Sequence, residues 1–140
     1  MDYLQKIFLA FETHSPEGIR ECFESGIDPN REQDGKPLIY ALINMYLRGP
    51  KFRDCIKVFV DHGVEFEDRA LLAVLLDNTD LLESEIAENN EVVAKTYSLD
   101  CTFTPLFEAS LLHICAEYNH VNCAKVLVKN GADVNTKAGF

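Results

Sequence analysis

A short glycine-centred sequence recurs along this chain, and it constrains the fold more than any other feature. It reads Asn130-Gly-Ala-Asp-Val-Asn135 near the C-terminus and returns as Gly26-Ile-Asp-Pro-Asn30, more weakly as Gly63-Val-Glu-Phe-Glu67, and as Asn90-Glu-Val-Val-Ala94. The glycine, or the asparagine that replaces it, is separated from the next one by 37, 27 and 41 residues. Such a recurrence indicates similar units that bury their apolar faces against their neighbours.

Local signals predict two helices in each unit. Ser15 is a favoured N-cap residue, and Pro16 suits the first helical position that follows it. Glycine at the recurring mark supplies the positive φ that ends a helix, and Asn90 is expected to do the same. Only Asp68 separates the second tail from a helix predicted over residues 69–76. The units therefore have the same plan and different connecting turns.

The last unit has a longer signature. Ser110-Leu-Leu-His-Ile-Cys-Ala116, Asn119-His120 and the tail that ends at Asn135 together resemble the ankyrin repeat, whose pattern reads T-P-L-H-x-A-A, then G-H, then G-A-D-V-N. The resemblance implies an all-α solenoid of stacked helix-turn-helix repeats with projecting turns. It predicts a single domain over residues 1–140, with repeats at about 2–30, 36–67, 69–94 and 104–135.

The fourth repeat has two possible starts, because Thr104-Pro105 and Ser110 both match the opening of the pattern. A threonine N-cap followed by proline at the first helical position is the stronger start signal. We therefore expect one long helix from Pro105 to about Tyr118, with Ser110 inside it. The preceding segment, Lys95–Phe103, is expected to form an enlarged turn.

The C-terminal end of the array is expected to be uncapped or truncated, since the chain stops where the turn to another repeat would begin. We favour a fragment of a longer array. The alternative is that the last apolar face is covered by a second copy, and so by self-association, or by a partner.

Composition excludes several classes of function. A net charge of −10 over 140 residues disfavours binding to nucleic acid or to anionic lipid, because such binding needs clustered Lys and Arg. The longest apolar runs, such as Ala70–Leu76, are too short for a membrane span. Five cysteines without a C-x-x-C pair argue against a disulfide framework and favour reduced, buried thiols. We expect a cytoplasmic protein.

A cluster near the C-terminus contains the residue types that bind zinc: His113, Cys115, His120 and Cys123. Two of them, His113 and Cys115, are two positions apart and so point to opposite sides of one helix. All four also match positions of the repeat pattern, and the resemblance implies that the histidines make hydrogen bonds that tie the turns together. We predict no metal site and no cofactor.

No catalytic motif is present, whether a nucleophile elbow, a zinc-protease helix motif or a phosphate-binding loop. The chain is therefore not expected to be an enzyme. The resemblance instead implies a scaffold that binds a partner protein through a concave surface made by the turns and the first helices. Fold alone does not identify that partner.

The candidate partner-binding residues come from three places. The first helices contribute their variable positions, the long first turn contributes carboxylates, and the enlarged turn contributes aromatic side chains, which often dominate binding energy. The candidates are Glu12, Glu32, Asp34, Asn44, Tyr46, Asp77, Tyr97, Phe103, Glu117 and Tyr118.

An acidic run between Asp77 and Glu91 contains no basic residue. It is either a solvated helix face or a ridge that steers a basic partner, so a basic or neutral partner protein is favoured. Three functions remain open. They are a passive adaptor, an inhibitor or immunity-type protein that covers the active site of a basic enzyme, and a structural segment of a longer repeat array.

Overall fold

The computed structural model describes residues 2–45, 48–102 and 105–135. The chain forms two compact units. Unit 1 comprises Met1–Glu65 with Cys101–Phe103, and unit 2 comprises Phe66–Asp100 with Thr104–Phe140. The described residues are mostly helical, but the predicted all-α class is wrong in one respect, because they also include two antiparallel strand pairs. A single domain and a continuous solenoid stay predictions.

Unit 1 contains two helix pairs joined by a short strand pair. Its elements are α1 (Tyr3–Thr13), α2 (Pro16–Glu24), β1 (Glu32–Gln33), β2 (Lys36–Pro37), α3 (Ile39–Ile43) and α4 (Phe52–Asp61). The first helices α1 and α3 contact each other, and the second helices α2 and α4 do the same. Aromatic rings form the centre of its core: the Phe59 ring stacks on Phe11 at 5.9 Å and meets Phe23 edge-on at 4.9 Å.

Unit 2 repeats this plan with a longer insertion between its helix pairs. Its elements are α5 (Arg69–Leu76), α6 (Thr79–Glu88), a short 3-10 helix (Asn90–Ala94), β3 (Thr96–Leu99), β4 (Leu106–Ser110), α7 (Leu111–Tyr118) and α8 (Val121–Lys129). Again α5 contacts α7 and α6 contacts α8. Helix α5 is the most deeply buried element, since all of residues 70–75 lie in the core.

Side-chain caps explain where several helices begin. The Ser15 hydroxyl accepts a hydrogen bond from Gly18 N, which confirms the predicted start of α2. Asp68 accepts from Leu71 N in the same way and starts α5 directly after the preceding tail. Each cap satisfies a backbone donor that has no partner within its own helix. These starts are decided within three residues of the chain.

The three glycine tails have one geometry. Gly26, Gly63 and Gly131 have φ values of 115°, 85° and 95°, which only glycine adopts readily. In the tails that read G-x-D-x-N, the aspartate side chain also accepts a hydrogen bond from the asparagine backbone N–H, as Asp133 does from Asn135 at 2.8 Å. The predicted common cause of these turns is confirmed for the glycines.

The prediction for Asn90 was wrong. Helix α6 ends at Glu88, and Asn89 continues in an extended conformation with φ −150°. The Asn89 side chain then caps the 3-10 helix by accepting from Glu91 N, so Asn90 begins a new turn instead of closing the old one. An asparagine can cap a following helix as readily as it can end a preceding one, and here the former prevails.

The predicted long helix from Pro105 was also wrong. Residues 106–110 form β4, which pairs with β3 in the register Thr96 with Ser110. Helix α7 starts at Leu111 with Ser110 as its N-cap, and His113 completes a capping box by accepting from Ser110 N at 3.0 Å. The strand pairing and the capping box satisfy the backbone groups that a longer helix would have paired internally. The predicted enlarged turn accordingly contains β3.

Candidate functional site

Asp77 braces the second helix pair of unit 2. It ends α5 in the left-handed conformation, with φ 53°. Its Oδ1 accepts a hydrogen bond from Cys123 N at 2.9 Å, and its Oδ2 accepts from the Asn122 side chain at 3.1 Å. His120, the N-cap residue of α8, makes no side-chain cap of its own. Asp77 therefore serves as the cap of α8 from a position 46 residues away in sequence.

The residues of the supposed zinc cluster have structural partners. His120 Nδ1 lies 2.7 Å from Val74 O, and Cys123 Sγ donates to Ala73 O at 3.6 Å. Burial raises the pKa of the Cys115 thiol to about 12, so this thiol stays protonated. Within the ranges that the structure describes, no three His, Cys, Asp or Glu side chains are arranged to hold a metal ion.

Tyr97 is held against the start of α5. Its hydroxyl donates to Asp68 Oδ2 at 2.9 Å, and Lys95 Nζ donates to the same oxygen at 2.9 Å. Burial by itself would raise the pKa of Asp68, but the hydrogen bonds from Leu71 N, Lys95 and Tyr97 together lower it. The predicted binding aromatic therefore anchors β3 to α5 through a charged carboxylate.

Other candidates near helix ends are partly withdrawn from the surface. Tyr118 is only 6% exposed, and its ring lies 6.0 Å from that of His120. Glu117 is half-buried on α7. Asn44 is half-buried at the end of α3, and its backbone carbonyl accepts from Thr102 N at 2.9 Å. Two further predicted residues, Tyr46 and Phe103, lie outside the described residues.

Three predicted carboxylates remain accessible, and all lie in unit 1. Glu12 is exposed on α1, Glu32 is exposed on β1, and Asp34 lies at the tip of the β1–β2 pair with φ 54°. None of the three side chains has a hydrogen bond or ion pair with any described residue. They are carried by a contiguous part of the unit, since β2 contacts α3 and α3 contacts α1.

The acidic run of unit 2 is also solvent-facing. Asp80, Glu83, Glu88 and Glu91 are exposed, and Glu85 is half-buried. None of these five carboxylates forms an ion pair with a residue that the structure describes. Both readings of the run, a solvated face and a steering ridge, are compatible with this geometry.

One face of α8 is apolar and exposed, which was not predicted from the sequence. It presents Val121, Ala124 and Val128, with Lys125 and Lys129 beside them. Val121 is 50% exposed and Val128 is 48% exposed. A signal for it was present, since the apolar residues of α8 occupy more of the helix circumference than one buried face needs.

The comparison with protein families supports the resemblance where the sequence is clearest. The Ankyrin repeat family matches residues 103–138, which span β4, α7, α8 and the following glycine tail. This C-terminal segment is therefore an ankyrin repeat, and the recognition made from the sequence is confirmed for one repeat. No curated protein matched the chain. Among the described residues, no helix is both long enough and apolar enough to cross a membrane.

Proposed function

We propose that this chain is a scaffold that binds a basic partner protein through the accessible carboxylates of unit 1. Ankyrin repeats generally mediate protein–protein interaction, and the C-terminal segment is one. The observation that carries the proposal is the set Glu12, Glu32 and Asp34, which are exposed and unpaired among the described residues. Carboxylates that do not stabilise their own unit are available to another molecule.

Charge supports a basic partner. A chain with a net charge of −10 attracts positive surfaces, which raises the association rate more than it lowers the dissociation rate. The same charge disfavours nucleic acid, whose phosphates need clustered Lys and Arg. Binding to the proposed partner should therefore weaken as salt is raised, because salt screens exposed charges.

We further propose that the chain is not an enzyme and acts in a reducing compartment such as the cytoplasm. All five cysteines are buried, and none of them forms a disulfide bond. Burial raises the pKa of Cys55 to about 12, and it also raises the pKa of Cys123. Such thiols are poor nucleophiles.

The inhibitor function is a second candidate, and the acidic run favours it. The exposed carboxylates of Asp80, Glu83, Glu88 and Glu91 lie in unit 2, apart in sequence from the three of unit 1. An inhibitor would bind one basic enzyme tightly through this run, and reversing the charge of Glu83 would abolish inhibition. A scaffold would instead bind through unit 1 and be insensitive to that change.

The proposed function is tested by single charge reversals in unit 1. The probe is an arrayed set of basic peptides, with binding rates measured by biolayer interferometry at low and moderate salt. Glu32→Lys is expected to slow association about tenfold, because it removes one attractive charge and adds a repulsive one. Glu24→Lys is the matched control, since Glu24 is exposed on α2 and makes the same change in net charge. An equal loss of association rate in both variants would show that only the net charge matters, and it would overturn the assignment of binding to Glu12, Glu32 and Asp34.

A further inference from the structure

Glycine directly follows an aspartate or an asparagine at two places in the sequence, Asp34-Gly35 and Asn130-Gly131. At such a pair the backbone nitrogen of the glycine can attack the side-chain carbonyl carbon of the preceding residue, because glycine has no Cβ to hinder the approach. The attack closes a five-membered ring, a succinimide. In a folded protein its rate depends on how firmly hydrogen bonds hold the nitrogen and the side chain.

The fold restrains the pair Asn130-Gly131. Asn130 directly follows α8, and its Nδ2 donates a hydrogen bond to Val126 O at 2.8 Å. The attacking nitrogen, Gly131 N, donates to Val128 O at 3.1 Å. These hydrogen bonds satisfy carbonyl groups at the end of the helix, and the attack would break both of them. The side chain and the nitrogen are therefore both held in place.

Neither reacting group of Asp34-Gly35 is held in this way. The Asp34 side chain and Gly35 N form no hydrogen bond with any residue that the structure describes. Both residues are exposed, and no described atom beyond the neighbouring residues lies within 4 Å of the place where a Cβ of Gly35 would be. The carboxyl group and the nitrogen can therefore meet without breaking a hydrogen bond of their own.

The turn that carries the pair is small enough to open locally. Asp34 and Gly35 form the two-residue turn between β1 and β2, and their φ values of 54° and 80° are both positive, as in a type I′ turn. Each of the two strands has only two residues. A strand pair of this length contributes little stability by itself, so rotating Asp34 out of the turn costs little free energy.

We propose that Asp34 converts to isoaspartate in the folded protein. Gly35 N bonds to Cγ of the protonated Asp34 carboxyl group, and the carboxyl hydroxyl leaves with the amide proton as water. A water molecule then opens the ring. Breaking the bond from Gly35 N to Cγ restores aspartate, whereas breaking the bond from Gly35 N to the Asp34 backbone carbonyl carbon gives isoaspartate. One water is released and one is consumed, so no oxidant or reductant is needed.

Isoaspartate changes the turn although mass and charge stay the same. The main chain then runs through Cβ and Cγ of residue 34, which adds one atom to the backbone, and the free carboxylate is attached to Cα. A longer turn disturbs the pairing of β1 with β2, because turn length fixes the register of a hairpin. The modification forms without a partner, so it does not rest on the proposed function.

The test follows the full chain during incubation at neutral pH and physiological temperature. Digestion with endoproteinase Asp-N and mass spectrometry locate isoaspartate, since this protease does not cleave before it, and methylation by an isoaspartyl methyltransferase measures its amount. Synthetic peptides with the two local sequences give the rates without the fold. The fold should slow isomerisation at Asp34 by less than about tenfold and deamidation at Asn130, which releases ammonia instead of water, by more than about tenfold.

The variant Asp34→Asn compares the two places within one molecule. Both pairs then react by the same deamidation, and position 34 should react at least about tenfold faster than Asn130. Asp34→Glu is the control, because it keeps the charge but would have to close a six-membered ring, which forms more slowly. No modified peptide from this turn should accumulate in the control. Circular dichroism checks that both variants have unchanged helix content.

Two outcomes would overturn the proposal. One is an isomerisation rate at Asp34 that the fold slows by more than about tenfold relative to the peptide, since the turn would then hold the pair. The other is deamidation of the Asp34→Asn variant that is no faster at position 34 than at Asn130. That result would show that the hydrogen bonds around Asn130 do not decide which pair reacts.

Discussion

The two units differ in the residue that ends the first helix of a pair and contacts the second helix of the following pair. His14 in unit 1 and Asp77 in unit 2 each follow the first helix of a pair and end it with a positive φ, 50° and 53°. Asp77 is half-exposed and caps α8, the second helix of the following pair, through two hydrogen bonds. His14 is 2% exposed, its ring lies 5.7 Å from that of Phe52, and neither ring nitrogen has a hydrogen-bond partner among the described residues.

The difference shows that one position can brace successive helix pairs either by a charge or by packing. Phe52 is the first residue of α4, so His14 reaches the same end of the next second helix that Asp77 reaches in unit 2. Burial lowers the pKa of His14, and the positive charge of Arg48 lowers it further. Unit 1 therefore depends on a neutral imidazole, whereas unit 2 depends on a hydrogen-bonding carboxylate.

Removing the Asp77 cap is expected to have the largest effect. Asp77→Ala should lower the free energy of unfolding by about 2 kcal/mol, because it leaves Cys123 N unsatisfied and puts alanine at a positive φ. Urea unfolding followed by circular dichroism measures it. Asp77→Gly removes the cap without the backbone strain and should cost about half as much. Asp77→Asn keeps an acceptor oxygen and should cost least. If all three variants had the stability of the unchanged protein, the cap would contribute nothing.

A second comparison sets the tail of the first repeat against that of the last. Asn30 Oδ1 accepts from Glu65 N at 2.6 Å, and its Nδ2 donates to Gly63 O at 3.1 Å, so this side chain ties two tails of unit 1 together. Asn30→Ala should cost about 1 kcal/mol. The matched variant is Asn135→Ala, since the Asn135 side chain bonds to no described residue. It should leave the free energy of unfolding nearly unchanged in the same urea assay. An equal loss of stability in both variants would show that the Asn30 hydrogen bonds between the two tails do not stabilise the protein.

The smallest expected effect is a loss of stability in mild acid that is caused by His14 in unit 1. The pKa of His14 is lowered from its ordinary 6.5 in the folded state, so the unfolded chain binds a proton first as pH falls. Stability should be full above pH 6.5 and decline as the pH falls below it. His14→Asn, which tolerates a positive φ, should flatten this part of the pH profile of thermal unfolding. If the variant had an unchanged pH profile, the loss of stability in acid would come from groups other than His14.

Features decided by a few neighbouring residues could be predicted from the sequence. The start at Ser15-Pro16, the single residue Asp68 before α5 and the positive φ of Gly26 follow from local backbone chemistry, and all are confirmed. The start of α7 could not be predicted in this way. The Thr104-Pro105 signal is locally the stronger one, but the pairing of β3 with β4 uses residues that are distant in sequence.

The candidate site was predicted less well than the fold, because sequence spacing does not give exposure. Tyrosine is a residue type that is common in binding sites, but Tyr118 is buried. Tyr97 is hydrogen-bonded to Asp68. Asp77 was assigned to a partner although it caps α8, a contact made by residues far apart in sequence. Glu32 and Asp34 are exposed because a short turn between two strands leaves its side chains in solvent, and their role in binding stays a prediction.

The five buried thiols can serve as natural probes of local unfolding. Cys22, Cys55 and Cys101 belong to unit 1, and Cys115 and Cys123 belong to unit 2. Each thiol is shielded from alkylating reagents in the folded state, so it becomes reactive only when the structure around it opens. Peptide mass spectrometry after timed alkylation would therefore report the opening of each unit separately, in the unchanged sequence and without an added label.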